Sequence, residues 1–203
     1  MKSSFSILLI FFLLIPSLGY CQTTNEYLKI GNRKFENHDF SGAIIEYSKV
    51  IAQQPNSEEA YFNRAYSKAR LENYSGAILD YTKVIQINPR IADAYNNRGT
   101  AKMDLREFNS AIIDFTKAIE INPIDASYYT NRAGSKGVLK DFKGGIEDYT
   151  KAIDINPGDA DSYYNRGSFK IELQQNESAC LDLKKSLELG NANAAATIET
   201  WCH

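Results

Sequence analysis

The sequence predicts an all-α solenoid, a row of helical hairpins stacked side by side. Three observations carry that reading. Four of the five prolines, Pro55, Pro89, Pro123 and Pro157, follow one another at intervals of 34 residues, and self-similarity at a fixed period of this length marks a repeat architecture. Laid over one another at that period, the columns Tyr27/Tyr61/Tyr95/Tyr129/Tyr163, Gly31/Ala65/Gly99/Ala133/Gly167, Ala43/Ala77/Ala111/Gly145/Ala179 and Tyr47/Tyr81/Phe115/Tyr149/Leu183 alternate large with small side chains. Small residues let two helices approach and the large ones fill what remains, so each unit reads as a helical hairpin. Cap and stop signals then recur in the same register: Ser57, Asp125 and Asp159 stand where the next helix needs an N-cap, and the Asn-Pro pairs at 88–89, 122–123 and 156–157 end the helices before them.

The first element, residues 1–21, differs from the rest. Lys2 precedes an apolar run from Phe5 to Ile15 that Pro16 breaks. A spanning helix needs about 20 apolar residues, so this shorter run reads as a secretory signal peptide. Gly19 and Cys21 flank Tyr20 in a small-x-small pattern, and a cut after Cys21 would start the mature chain at Gln22. That start resembles exported bacterial proteins of the Bacteroidota. The same stretch is similar to a lipoprotein box, although Tyr20 stands where that box has a small residue; membrane attachment is expected only if the segment stays uncleaved or Cys21 is lipidated.

Five repeats follow, at 24–57, 58–91, 92–125, 126–159 and 160–193. Thr23 with Glu26 forms a capping box ahead of the first, and Ile91 is the one boundary without a capping side chain. Repeat four carries Gly134, Gly137, Gly144 and Gly145. Each interior glycine costs about 1 kcal/mol relative to alanine, so this repeat is expected to be the soft one. Repeat five is degenerate, with Asn191 in place of proline and Asn193 as the expected cap of the last element. Residues 194–203 present Ala195, Ile198 and Trp201 on one side and are expected to close the solenoid as a C-terminal capping helix.

The 34-residue spacing, the aromatic-x-x-x-small opening, the Ala followed four residues later by an aromatic and the closing proline resemble the tetratricopeptide repeat (TPR) family over residues 24–193. Departures from its pattern are the lysines Lys34, Lys68, Lys102, Lys136 and Lys170 in a column the family more often makes aromatic, and the lack of Trp in the repeats. The resemblance implies a right-handed superhelix whose concave groove holds an extended segment of a partner protein. It also implies a scaffold without catalytic function.

An Asn-Arg pair recurs at one place in four repeats. The resemblance turns Asn63, Asn97, Asn131 and Asn165 toward the groove, like the asparagine ladder of TPR superhelices that grip a peptide backbone; Lys29 replaces the first rung. An amide donates and accepts, which suits that task, but the same amides can equally bond one another. Phe62, Tyr66 and Tyr164 are expected beside them, with Arg70 and acids including Asp104, so a neutral-to-basic peptide fits better than an acidic one. Arg64, Arg98, Arg132 and Arg166 lie one residue further round, toward the packing side. A buried charge nearly requires a counter-charge, and Asp80, Asp114, Asp148 and Asp182 recur with them, placed to pair either within a repeat or with its neighbour.

Cys180 and Cys202 form a candidate disulfide, since Cys21 leaves with the signal and an even pair remains in an oxidising compartment. A net charge of −2 with both signs interspersed gives no basic field for nucleic acid. Two histidines, no metal-ligand spacing and no phosphate loop argue against an enzyme, a cofactor, a metal or a small-molecule substrate. The expectation is an exported protein, periplasmic or secreted, that binds a protein or peptide in its groove. The alternative is a structural component of an envelope assembly that docks by its convex or terminal surface.

Overall fold

A computed structural model describes residues 23–202; the expected signal peptide and Cys21 lie outside the described residues. Helices α1 (Thr24–Glu36) and α2 (Phe40–Gln53), α3 (Glu58–Arg70) and α4 (Tyr74–Ile87), α5 (Ala92–Asp104) and α6 (Phe108–Ile121), α7 (Ala126–Val138) and α8 (Phe142–Ile155), and α9 (Ala160–Glu172) and α10 (Asn176–Glu188) form five hairpins, followed by α11 (Asn193–Trp201). Among the described residues there is no strand, and the architecture is an α-solenoid. Each helix packs on the one before and the one after. The first helices also touch in sequence, α1 with α3, α3 with α5 and α5 with α7, and so make the inner layer; the even-numbered helices make the outer one.

Caps explain where the helices begin. Thr23 and Glu26 close the reciprocal box, with Thr23 N donating to Glu26 Oε2 at 2.9 Å. Ser57, Asp125 and Asp159 accept from the first-turn amides of α3, α7 and α9, while Ile91 caps α5 with no side chain. Asn193 does not behave as expected: it is the first helical residue of α11, and Asn191 Oδ1 accepts its amide at 2.9 Å. Between the helices of each hairpin, His38, Glu72, Arg106, Lys140 and Gln174 adopt φ of 60–63°. There the chain reverses: in the third repeat Glu107 N reaches Lys102 O and Arg106 N reaches Met103 O, the paired bonds that end a helix in a left-handed residue.

The aromatic column fills the core. Tyr47, Tyr81, Phe115 and Leu183 are sealed from solvent, and Tyr149 nearly so. A methyl on Gly31 or Gly99 would press on the ring of Tyr47 or Phe115, so these glycines set the distance within their hairpins. In repeat four the glycines have a different cause. Phe169 stands where the other repeats place Arg33, Ser67, Ala101 and Ser135, and its ring lies 5.3 Å from that of Phe142 and 5.4 Å from that of Tyr149. A Cβ on Gly137 or Gly145 would overlap that ring, whereas one on Gly134 would meet open space. Two of the glycines are therefore holes that Phe169 fills.

The last helix turns one residue from the expected register. Ala194 is fully buried and Thr197 and Ile198 half-buried, while Ala195 is exposed and Trp201 is 49% exposed rather than closing the core. Cys180 and Cys202 are joined by a disulfide, with Cα atoms 5.6 Å apart, which ties the end of α11 to α10.

Candidate functional site

The four arginines face the interior of the stack, and each meets the acid of its own repeat. Arg98 donates from Nε and Nη2 to Asp114 Oδ2 and Oδ1 at 2.9 and 2.6 Å, and Arg64, Arg132 and Arg166 hold Asp80, Asp148 and Asp182 by the same fork. The third donor, Nη1, crosses to the preceding repeat: Ser48, Thr82, Thr116 and Thr150 accept it at 3.0–3.1 Å. The lysine column completes the cluster. Lys68, Lys102, Lys136 and Lys170 reach the same carboxylates at 2.7–2.8 Å. Each guanidinium also lies 5.4–5.9 Å from the ring of Tyr61, Tyr95, Tyr129 or Tyr163. Planar forked donors suit this shared role, because one side chain can bridge two helices of its own hairpin and one of the hairpin before.

Repeat one has Ile30 in place of the arginine. Its acid, Glu46, is held by Lys34 at 3.1 Å and Lys49 at 2.9 Å. Burial pushes the Glu46 carboxyl up, but the hydrogen bonds from Lys49 and Lys34 outweigh it and leave its pKa below the ordinary value. Among the described residues no buried side-chain nitrogen or oxygen lacks a partner.

The asparagine column lies on the inner helices, and much of it is tied up within the fold. Asn63 Nδ2 donates to Asn32 Oδ1 at 3.3 Å, the same oxygen that accepts from Tyr47 Oη at 2.8 Å, while Asn32 Nδ2 donates to Glu59. Asn131 Nδ2 donates to Asn96 Oδ1 at 2.9 Å, and Asn96 Nδ2 donates to Asn97 Oδ1 at 3.3 Å. Asn165 makes no side-chain hydrogen bond among the described residues. These amides thus link successive repeats.

The aromatic residues divide as well. Phe62 leans edge-on against Tyr81, with ring centroids 5.5 Å apart, and packs on the cluster of Ala65, Ala77 and Tyr81. Tyr164 Oη lies 3.4 Å from Thr197 Oγ1 of the closing helix, so the groove ends there. Tyr66 is half-buried like the other two, but its hydroxyl makes no hydrogen bond among the described residues. Its ring is 5.3 Å from that of Phe35 and 6.0 Å from the Arg70 guanidinium.

Between α3 and α5 these residues line a hollow of about 340 Å³ with Tyr66, Arg70, Glu72, Tyr74, Tyr81, Asn97, Thr100 and Asp104 on its walls. Desolvation raises the pKa of Asp104, and no cation of the described residues lies within ion-pair distance of Asp104 or Glu72. Glu72, Tyr74 and Tyr81 are wall residues that sequence reasoning did not place here: Tyr81 lies in a column that read as packing, and Glu72 and Tyr74 stand at the turn into α4 and its start.

Three segments of the chain match family models of the tetratricopeptide repeat, residues 58–91, 92–125 and 148–180. These three segments are therefore tetratricopeptide repeats, set in an α-solenoid of five stacked hairpins. Among solved structures it is similar to a crystal structure of MamA, at 28% identity over 82% of this chain and 91% of that one, with a TM-score of 0.78. MamA 41-end from Desulfovibrio magneticus RS-1 superposes with a TM-score of 0.78 at 19% identity, over 82% of this chain and 94% of that one. YrrB, described as a TPR protein with an unusual peptide-binding site, has a TM-score of 0.76 at 18% identity over 88% and 92% of the two chains. Comparison with curated proteins gives no match.

Proposed function

We propose that the protein is an exported interaction scaffold that holds an extended, neutral-to-basic segment of a partner protein in the groove of its inner helices. One observation carries this: the hollow between α3 and α5, where Tyr66, Tyr74 and Tyr81 stand beside two carboxylates, Asp104 and Glu72, against the single cation Arg70. Aromatic faces and a free acid suit a lysine or arginine side chain, which gains from the ring quadrupole as well as from the charge. YrrB, of similar fold, is described as having a peptide-binding site, which supports the reading. So does the disulfide, which belongs to oxidising compartments. Residues 1–21 are the signal that would deliver the chain there, to the periplasm or beyond, as in exported proteins of the Bacteroidota.

The test is a peptide array probed with the mature chain, followed by titration of the best binder. Tyr66→Ala with Asp104→Asn is expected to weaken that binder by about tenfold or more while the melting curve stays in place. Unchanged affinity in the double variant, or selection of acidic peptides, would overturn the proposal. Intact mass of the protein from its native host checks the export step, since a mature chain beginning at Gln22 is the expected product.

A further inference from the structure

The outer helices carry an apolar row that the fold does not use. Ile45, Leu79 and Ile113 occupy one position of α2, α4 and α6, 34 residues apart, and are 57%, 71% and 70% exposed. A lone exposed leucine needs no explanation, but three in register on consecutive repeats form a continuous stripe. The molecule supplies its own control. In α8 the same position is Glu147, exposed on an equivalent helix, so the backbone accepts a charge there.

The charge around the stripe is one-sided. α2 and α4 contain two acids, Glu46 and Asp80, and both are buried under cations of the fold. Their remaining charges are Lys49, exposed one turn beyond Ile45, and Lys83, partly buried one turn beyond Leu79. Glu46 is shared between Lys34 and Lys49, and no carboxylate of the described residues lies within ion-pair distance of Lys83. Further along the stack the balance changes: Lys117 is paired with Glu120 and Lys151 with Asp154. Beside Ile113 the stripe runs into a hollow of about 480 Å³ whose walls include Tyr95, Ile112 and Ile113, with Lys117 and its partner Glu120 at that end, so the unbalanced cations lie on α2 and α4.

We propose that Ile45, Leu79 and Ile113 with Lys49 and Lys83 form a second docking surface, on the outer layer, for an acidic amphipathic segment of a partner protein. Aliphatic side chains of that segment cover the stripe and its carboxylates meet the two lysines. Complementary charge at the rim of an apolar strip selects such a partner over a neutral or basic one. This surface is independent of the groove, so both can be occupied at once.

The experiment uses the full mature chain and a synthetic labelled helix with leucines on one face and glutamates on the flanks. A control peptide has lysine for every glutamate. The chain is expected to bind the acidic peptide, to bind the basic one about tenfold more weakly or less, and to lose the acidic one by about the same factor in Leu79→Glu with Ile113→Glu. That variant copies Glu147 and is expected to melt with the parent. Lys83→Glu is expected to reverse the preference between the two peptides, and the groove variant Tyr66→Ala to leave it alone. Equal binding of the two peptides, or binding untouched by the glutamates, would overturn the proposal. It would equally fall if the stripe proved to mediate only self-association in sedimentation, or only attachment to phosphatidylglycerol vesicles, each abolished by the same glutamates without effect on the peptide.

Discussion

Substitution of Arg98 by alanine tests the interior clusters most directly, because the structure changes the size of the effect that buried-charge reasoning suggests. If Arg98 were the sole partner of Asp114, its loss would strand a buried carboxylate at a cost of about 3–5 kcal/mol. The carboxylate is not stranded, however, since Lys102 stays within 2.8 Å of Oδ2. What disappears is the two-pronged contact with Asp114, the bond to Thr82 and the packing of the guanidinium on Tyr95. Hydrogen bonds to charged groups are worth about 1.5–3 kcal/mol each, and two that share one acid with a surviving lysine do not add in full. Arg98→Ala is therefore expected to cost about 2–3 kcal/mol, or roughly 5–10 °C in melting temperature for a chain of this size. Asp114→Ala should be worse by about 1–2 kcal/mol, because it leaves Arg98 and Lys102, only 16% and 18% exposed, facing each other without an anion. Urea unfolding followed by circular dichroism measures both, and Lys102→Met in each background gives the coupling. A loss below about 0.5 kcal/mol for Arg98→Ala would place the arginine among solvated surface pairs. An order of effects with Arg98→Ala worse than Asp114→Ala would show that the lysine does not share the acid.

Other expectations follow from the same geometry. Gly134→Ala meets no atom and should stabilise by about 1 kcal/mol, whereas Gly145→Ala and Gly137→Ala must displace the Phe169 ring and should destabilise by about 1–3 kcal/mol; thermal melts of the three variants check this. Burial raises the phenols of Tyr47 and Tyr149 to about 12 and also raises those of Tyr81 and Tyr128. A group with a folded pKa above its unfolded value of 10.0 gives stability that is whole below pH 10 and is lost as pH rises toward 12, so tyrosinate absorbance and helix loss are expected to appear together in that window. Cys202→Ser opens a link between residues 22 apart and should cost about 3 kcal/mol, chiefly at the C-terminal end, where the fluorescence of Trp201 reports it.

The helices were legible because their determinants are local and repeated. Capping side chains, Asn-Pro stops and small-large columns each state the same boundary several times over, so one irregular repeat cannot hide it. Less was legible where the cause lies across the stack. The reversal at His38, Glu72, Arg106, Lys140 and Gln174 carries no glycine, and only the helix-ending bonds reveal that these residues sit in the left-handed region. The glycines of repeat four read as softness because the ring that fills them, Phe169, belongs to the next repeat. Similarly, the lysine column read as a departure from an aromatic pattern. Its role appears only when the ammonium groups are seen on the carboxylates that the arginines hold, and the hydroxyl column from Ser48 to Thr150 recurs at the same interval for the same reason. In the groove, the residue types were readable but their availability was not: Asn63 and Asn131 are bonded within the fold, and Tyr164 meets the closing helix.

A repeated chain separates structural from functional positions without any second sequence for comparison. Every hairpin must solve the same packing problem against the same kind of neighbour, so the positions that face inward converge: arginine, aspartate, lysine and hydroxyl recur together in four consecutive interfaces. Outward positions meet only solvent or a partner, and nothing in the stack forces them to agree. The inner-face series Asn32, Tyr66, Thr100, Gly134 and Ser168 and the outer-face series Ile45, Leu79, Ile113, Glu147 and Leu181 vary for that reason. Where an outward series nevertheless holds one chemistry over neighbouring repeats, as the aliphatics do from α2 to α6, packing does not account for it, because the equivalent position of α8 holds the exposed Glu147. Agreement in the interior is what stacking demands, and agreement on the surface points to something that the stack binds.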